Sequence, residues 1–220
     1  LNGPAREGQT VTAALAGRAV RAVTDGEGRA QLRIPAKGLP RWSPDTPVLH
    51  DLTLTAASDR LTDRIGLRTI ATRGRDILLN GQPVFLRGIS MHEEAFGAEG
   101  ARAVSPAEAR ALLTEAKALG CNFVRLAHYP HADHVARLAD EMGLMLWAEI
   151  PVYWEEIDYA SPRTLALARA MMGELVRRDR SRASVVMWSV ANETPQSDAR
   201  LRFLETVIAE VRALDPSRLV

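Results

Sequence analysis

The sequence predicts an α/β fold that is preceded by an all-β segment. Short alternating runs separated by turn signals fill residues 1–72, whereas near-continuously apolar runs alternate with amphipathic helical runs through residues 73–220. Apolar strands that alternate with helices indicate a parallel sheet with helices packed on its faces. We therefore expect two domains, with a boundary near residue 72.

The composition is that of an ordinary globular protein. Apolar residues make up 46% of the 220 residues and charged residues 25%, and the net charge is only +1. No basic stripe points to nucleic acid or an anionic membrane surface, and no window approaches the ~18–20 apolar residues of a membrane span. The single cysteine, Cys121, excludes an internal disulfide and is predicted to be a small buried hydrophobe. We expect neither nucleic acid nor membrane as a partner.

Five short runs predict strands in the all-β segment. They read "TVTAALAG", "AVRAVTD", "AQLRIPA", "LHDLTLTAA" and "RIGLRTIA", with turn signals at "DGEG" and in a Pro/Gly-rich stretch. The spacing is typical of a small β-sandwich, although five strands are few for a complete one. Trp42 is expected to pack inside this segment.

The second segment opens with a hairpin and continues as four strand–helix units. Asn80-Gly81 in "LNGQP" predicts a two-residue hairpin turn. Ser105 before Pro106, with Glu108 three residues after the serine, predicts the first helix N-terminus. The predicted strands cover residues 84–90, 121–128, 144–151 and 184–193, and the helices cover 105–120, 131–143, 161–180 and 197–216.

Two architectures accommodate these units, a doubly wound sheet and a (β/α)8 barrel. The first strand is not followed by a Gly-rich phosphate-binding fingerprint, since the sequence there is "RGISMHEEAFG". Polar residues stand at the carboxyl end of all four strands, where barrel enzymes place their chemistry. Four units fill half of such a barrel, and the chain stops at "SRLV", where a fifth strand would begin.

The residues at the strand ends, here called the rim, include acidic, imidazole, amide, guanidinium and aromatic groups, and aromatic faces such as those of Tyr153 and Trp154 stack on sugar rings. Carboxylates perform acid/base chemistry, and His and Asn form hydrogen bonds with hydroxyl groups, so this set suits carbohydrate chemistry. In strand order the candidates are His92, Arg125, His128, Glu149, Asn192 and Glu193.

Each candidate also has a structural alternative. Glu193 would be favoured as a first-turn carboxylate of the next helix, and Asn192 as a loop cap. Arg125 lies in an apolar strand, so it needs a partner, which would equally be structural. His131 and His134 are spaced H-x-x-H on the following helix, but no third ligand is evident, and we expect both to face solvent.

Three long stretches resemble glycoside hydrolase family 2, which contains β-galactosidases, β-glucuronidases and β-mannosidases. They are "ILLNGQPVFLRGISMHEE", "NFVRLAHYPHADHVARLADEMGLMLWAEIP" and "RRDRSRASVVMWSVANET", and "VVMWSVANE" and "LDPSRLV" are closest to β-glucuronidases. The upstream "RWSPDTPVLHDLTL" and "DRIGLR" are similar to the end of the family's immunoglobulin-like domain. The resemblance implies the first half of a TIM barrel after part of an immunoglobulin-like β-sandwich.

The resemblance also implies residue roles. Glu193 stands at the position of the general acid/base, and Asn192 at the position of the amide that contacts the sugar 2-hydroxyl. His128, in the "HYP" motif, stands at a substrate-contact position. Arg125 stands at the position of the arginine that supports the nucleophile. His92 and Glu149 stand at further substrate-binding positions of the rim.

The implied activity is that of a retaining exo-β-glycosidase, acting on a β-glucuronide or β-galactoside by double displacement without a cofactor. The family's nucleophile is a second Glu after barrel strand seven, beyond this chain, so we expect the chain to be inactive alone. "EIPVYWEE" lacks the acidic-histidine pattern of magnesium-binding galactosidases, which predicts no metal. Open sheet edges would allow a homo-oligomer.

Two other functions stay open from the sequence. One is another retaining barrel glycosidase of the cellulase or mannanase type, which the upstream β segment and "HYP" disfavour. The second is a non-catalytic carbohydrate-binding or structural protein on the same fold, which the intact rim set disfavours.

Overall fold

The computed structural model describes residues 1, 3–94, 104–154 and 157–220. Within those ranges the chain forms an antiparallel sheet, a small hairpin sheet and a parallel sheet with four helices. Glu155 and Glu156 of the "EIPVYWEE" stretch lie outside the described residues. No membrane-spanning helix is found among the four, nor elsewhere in the ranges given above.

The all-β segment forms one four-stranded antiparallel sheet in the order β2-β1-β3-β4. Its strands are β1 (Thr10–Leu15), β2 (Arg18–Val23), β3 (His50–Ala56) and β4 (Asp59–Ile65). Four of the five predicted runs contribute to these strands or to the next sheet. The assignment to an immunoglobulin-like sandwich stays a prediction, because the described residues supply a single sheet here.

Two strand predictions in this segment are wrong in detail. Residues 30–36 form no strand; Pro35 lacks the N–H that a ladder needs, and Arg18 binds the backbone carbonyls of Pro35 and Lys37 through its side chain instead. Residues 64–71 are not one strand either, since β4 ends at Ile65 and the next strand begins at Ile70.

The predicted hairpin is confirmed and joins the two segments. It belongs to a small sheet of β5 (Ile70–Arg73), β6 (Asp76–Leu79) and β7 (Gln82–Val84). Asn80 and Gly81 have φ of 54° and 82°, as a type I′ turn requires. The Asn80 side chain also accepts from the backbone N–H of Thr69 and donates to the carbonyl of Trp42, at 3.1 and 2.9 Å.

The second segment is the first half of a TIM barrel. Its parallel strands are β8 (Gly88–Met91), β9 (Phe123–Leu126), β10 (Met145–Glu149) and β11 (Val185–Ser189). The intervening and following helices are α1 (Pro106–Ala118), α2 (Asp133–Met142), α3 (Pro162–Asp179) and α4 (Asp198–Leu214).

The strand order decides between the two architectures that the sequence left open. Each strand pairs with the next one along the chain, without the reversal of a doubly wound sheet. Leu219 forms a parallel bridge with Met187 of β11, so the last residues take the place of a fifth strand.

Serine side chains cap three of the four helices, and the cap predicted at Ser105 is confirmed. Ser105 and Glu108 form a reciprocal capping box at α1, and Ser161 and Ser197 cap α3 and α4. The residue before α2 is Ala132, which has no side-chain oxygen. Its backbone N–H donates instead to Glu93 Oε2 at 2.9 Å, so the loop after β8 supplies the cap of α2.

The prediction that Trp42 packs inside the all-β segment is wrong. Trp42 packs against the barrel half. It is completely buried in a cluster with Met145, Ala183 and Val186, and its Nε1 donates to the carbonyl oxygen of Asp140 at 2.8 Å. The Trp42 side chain therefore covers the end of the parallel sheet opposite the rim.

A charged network surrounds this contact. Asp63 of β4 accepts from Arg137 at 2.6 Å and from Arg182, whose guanidinium also lies 3.4 Å from the carboxylate of Asp140. Asp140 Oδ1 accepts from the Ser184 N–H at 2.7 Å, yet burial dominates and raises the pKa of Asp140 to about 6.

We expect Trp42→Ala to lower the free energy of unfolding by about 3–5 kcal/mol, because it empties a fully buried site. Trp42→Phe keeps a ring but removes the donor to Asp140, at a smaller cost of about 1–3 kcal/mol. Denaturant unfolding measures both. The matched control is Leu119→Ala at an exposed position; an equal loss in that variant would contradict the assignment.

The buried carboxyl of Asp140 should make stability depend on pH. Its pKa is about 6 in the folded chain and 3.8 when unperturbed, so the folded state holds the proton more tightly between those values. Stability from this group is therefore present below about pH 4 and is lost as pH rises through 6, by up to about 3 kcal/mol. Urea unfolding at pH 4–7 should show this loss relative to Asp140→Asn. The exposed Asp76→Asn variant, which keeps Asp140, should lose stability as the wild type does, and an equal loss in Asp140→Asn would contradict the assignment.

Candidate active site

The rim is organised by an ion pair between neighbouring strands. Arg125 of β9 donates through Nε and Nη2 to the carboxylate of Glu149 at the end of β10, at 3.1 and 2.8 Å. The Glu149 side chain is completely buried, and the guanidinium lies 4.7 Å from the ring centroid of Trp147. The partner that Arg125 needs inside an apolar strand is thus a rim carboxylate.

His128 and Asn192 join the same carboxylate–guanidinium pair. Nδ1 of His128 lies 2.8 Å from Glu149 Oε1, and Arg125 Nη2 donates to Asn192 Oδ1 at 2.6 Å. A carboxylate only accepts, so Nδ1 of His128 is the donor in the contact with Glu149. The Asn192 oxygen is engaged by Arg125, which leaves the amide NH2 group to donate to a ligand.

Glu193 is an exposed carboxylate at the end of the fourth strand unit. Its Oε2 accepts from Nε1 of Trp154 at 3.0 Å, while Arg200 donates to the hydroxyl of the next residue, Thr194, at 2.7 Å. Helix α4 begins only at Asp198. The alternative reading of Glu193 as a first-turn carboxylate is therefore wrong.

The backbone at this point is unusual for the residues that occupy it. Glu193 has φ of 47° and Trp154 has φ of 62°, in the left-handed region that non-glycine residues seldom adopt. Both residues stand at strand ends of the rim, and their side chains are hydrogen-bonded to each other. Strain of this kind costs on the order of 1–3 kcal/mol per residue and is concentrated at functional sites.

His92 is exposed and lies next to His128 at the rim. Its ring centroid is 5.2 Å from that of His128 in an edge-on arrangement and 6.1 Å from that of Tyr129. The structure thus brings all six predicted rim residues to one edge of the parallel sheet. The adjacent Glu93 is buried, with Oε2 on Ala132 and Oε1 without a hydrogen-bond partner among the described residues.

The solvent-facing prediction for the two helix histidines is wrong. His131 is buried, its Nε2 lies 3.0 Å from the Ala127 carbonyl oxygen, and its ring stacks on Tyr129 at 5.3 Å. Burial lowers the pKa of His131. His134 is half-buried. His131 stands before α2, and the contacts that cover it come from Ala127 and Tyr129 of the preceding loop.

Sequence reasoning gave no role to Trp147, and it placed Tyr153 and Trp154 on the rim only as aromatic faces that would stack on a sugar ring. Trp147 carries the Arg125 guanidinium on its ring, and Tyr153 pairs with Asn192 in an isolated bridge. Trp154 contacts Glu193. A signal existed for Trp147: it stands two residues before Glu149 on a strand, hence on the same face of the sheet.

The described part of the rim offers acid/base and hydrogen-bonding groups. No three His, Cys, Asp or Glu side chains come together as a metal site in the ranges that the structure describes. A cavity of about 450 Å³ lies beside Glu193 and is lined in part by Trp147, Met187 and Arg200. An accessible carboxylate next to amide and imidazole groups is suited to proton transfer on a polyhydroxylated ligand.

Comparison with known proteins agrees with the half-barrel fold. The model of the TIM barrel domain of glycosyl hydrolases family 2 matches residues 70–220. β-Glucuronidase of Canis lupus familiaris is 39% identical over 166 residues, covering 74% of this chain and 25% of that protein. Human β-glucuronidase is 32% identical over 219 residues, covering 90% and 32%.

A solved structure shows the same architecture. The family 2 β-galacturonidase from Eisenbergiella tayi, bound to galacturonate, superimposes with a TM-score of 0.86 at 26% identity, covering 96% of this chain and 39% of that one. The chain spans about a quarter to a third of the length of the curated relatives named above. Because the family model covers well over half of its residues, the chain belongs to glycoside hydrolase family 2.

Proposed function

We propose that the protein containing this chain is a retaining exo-β-glycosidase, with Glu193 as general acid/base. The observation that carries the proposal is the exposed Glu193 carboxylate beside the buried Arg125–Glu149 pair at one sheet edge. The names of the relatives, β-glucuronidases and a β-galacturonidase, favour a β-linked uronic acid, and a β-galactoside is the second candidate.

Retaining glycosidases use two carboxyl groups ~5–5.5 Å apart. Glu193 would protonate the glycosidic oxygen while a second carboxylate, supplied by a later part of the barrel, attacks the anomeric carbon and displaces the leaving group. Glu193 would then take a proton from the water that releases the sugar. The chain thus contributes the proton-transfer half of the double displacement.

The remaining rim residues would bind and orient the sugar. The NH2 group of Asn192, which has no hydrogen-bond partner among the described residues, suits the 2-hydroxyl, and the imidazoles of His128 and His92 suit other hydroxyls. Glu149 is buried and engages His128 and Arg125, so its proposed role is to hold those two side chains.

Arg125 is proposed to support the nucleophile. Its contacts with the described residues use Nε and Nη2, which leaves Nη1 as a donor for a second carboxylate. A guanidinium shared in this way would hold the nucleophile ionised and correctly oriented.

In the full-length protein, Glu193→Gln should reduce hydrolysis of alkyl glycosides by about 10²–10⁴-fold, because their poor leaving groups need protonation. Aryl glycosides with activated leaving groups should lose much less in the first step. Initial rates and pre-steady-state bursts on both classes measure this. The exposed Glu205→Gln in α4 is the control; equally small losses for both classes in Glu193→Gln would sink the assignment.

The ion pair should behave as one unit in a double-mutant cycle. Arg125→Lys keeps the charge but cannot reproduce the paired contacts with Glu149, and Glu149→Gln removes the charge. The combined loss of kcat/KM should fall short of the sum of the single losses by about 0.5–3 kcal/mol. Arg125→Lys combined with Glu205→Gln should be additive, and additivity in both pairs would contradict the network.

A further inference from the structure

Trp154 differs from the other three tryptophans of the chain in its exposure. Trp42 and Trp188 are buried and Trp147 is partly covered, whereas Trp154 is 51% exposed at the rim. A large aromatic side chain that stays in solvent next to a candidate acid/base is an informative departure from normal burial.

The Trp154 backbone is held in place by its neighbours. The Tyr159 hydroxyl donates to the Trp154 carbonyl at 2.9 Å, and Tyr159 is itself buried edge-on against Phe203 of α4 at 5.4 Å. The Tyr153 ring meets the indole edge-on at 4.9 Å, and Tyr153 pairs with Asn192. The left-handed conformation of Trp154 is therefore fixed by contacts with α4 and with the fourth strand unit.

The indole N–H of Trp154 determines which oxygen of the Glu193 carboxyl is available to carry the proton. Nε1 can only donate, so Glu193 Oε2 accepts at 3.0 Å, which favours Oε1 as the oxygen that carries the transferable proton. The glycosidic oxygen must lie next to that proton during bond cleavage. The glycosidic oxygen, and the leaving group attached to it, would therefore lie against the same carboxyl group whose other oxygen the indole holds.

Resting on the function proposed above, we propose that Trp154 forms the leaving-group subsite. Its exposed indole face stacks on an aromatic or planar apolar leaving group, while its N–H orients the Glu193 carboxyl. The substrate class that this subsite takes is aryl β-glycosides. The rings of Trp154 and Tyr153 present an apolar surface to the ligand, and stacking on such a surface suits a flat aromatic group.

Binding of unreactive substrate analogues to the full-length protein tests the stacking. The probes are a phenyl thioglycoside and an ethyl thioglycoside of the sugar that the protein hydrolyses best, together with the free sugar. Trp154→Ala should raise the inhibition constant of the phenyl compound about 3- to 10-fold. It should leave the constants of the ethyl compound and the free sugar unchanged, and Trp154→Phe should retain most of the phenyl affinity.

Turnover separates the role of the N–H from that of the ring. Trp154→Phe should lower kcat for alkyl glycosides more than for activated aryl glycosides, because only the former depend on a well-oriented acid. Leu167→Ala, an equally exposed apolar residue on α3, is the control and should change neither quantity.

Two results would overturn the subsite. Equal weakening of phenyl, ethyl and free-sugar binding in Trp154→Ala would show a general structural role and leave the glycosidase function standing. Absence of hydrolysis of any β-glycoside by the wild-type full-length protein would overturn the glycosidase function and the subsite with it.

Discussion

The buried ion pair between Arg125 and Glu149 is the interaction on which the rim depends. Arg125 stands opposite Trp147 in the strand register, so its guanidinium crosses the ring of Trp147 to reach Glu149 on the same face. A buried carboxylate is tolerable only when charge and hydrogen bonds compensate its desolvation. Here the compensation comes from Arg125 and His128, and through Arg125 the pair also holds Asn192.

Helix α2 connects this rim to the opposite end of the sheet. At its first turn the helix is capped by Glu93 from the loop after β8, and near its last turn the Asp140 carbonyl accepts from Trp42. The same helix follows directly on the loop that carries His128. One helix therefore holds both the packing of Trp42 under the barrel half and the placement of His128 at the rim.

The rim also contains two non-glycine residues with a positive φ. Trp154 and Glu193 both adopt left-handed backbone conformations, and each is fixed by contacts from a neighbouring element, through Tyr159 for the former and Arg200 with Thr194 for the latter. The rest of the barrel half has ordinary capped helices and a continuous apolar core. Left-handed backbone at two hydrogen-bonded residues of the rim is consistent with a role in orienting a carboxylate.

Local patterns were enough to predict much of the structure. The alternation of apolar runs and capped helices predicted four strand–helix units, and the position of polar residues after each strand predicted the six rim residues that the sheet brings together. These signals are local because helix caps, turns and strand periodicity depend on neighbours within a few residues. The tertiary structure alone decided which groups meet: Arg125 with Glu149, Trp42 with the barrel half, and Trp154 with Glu193. Those contacts join residues that are distant in the sequence, and their energies arise from burial and desolvation that only packing of the whole chain creates.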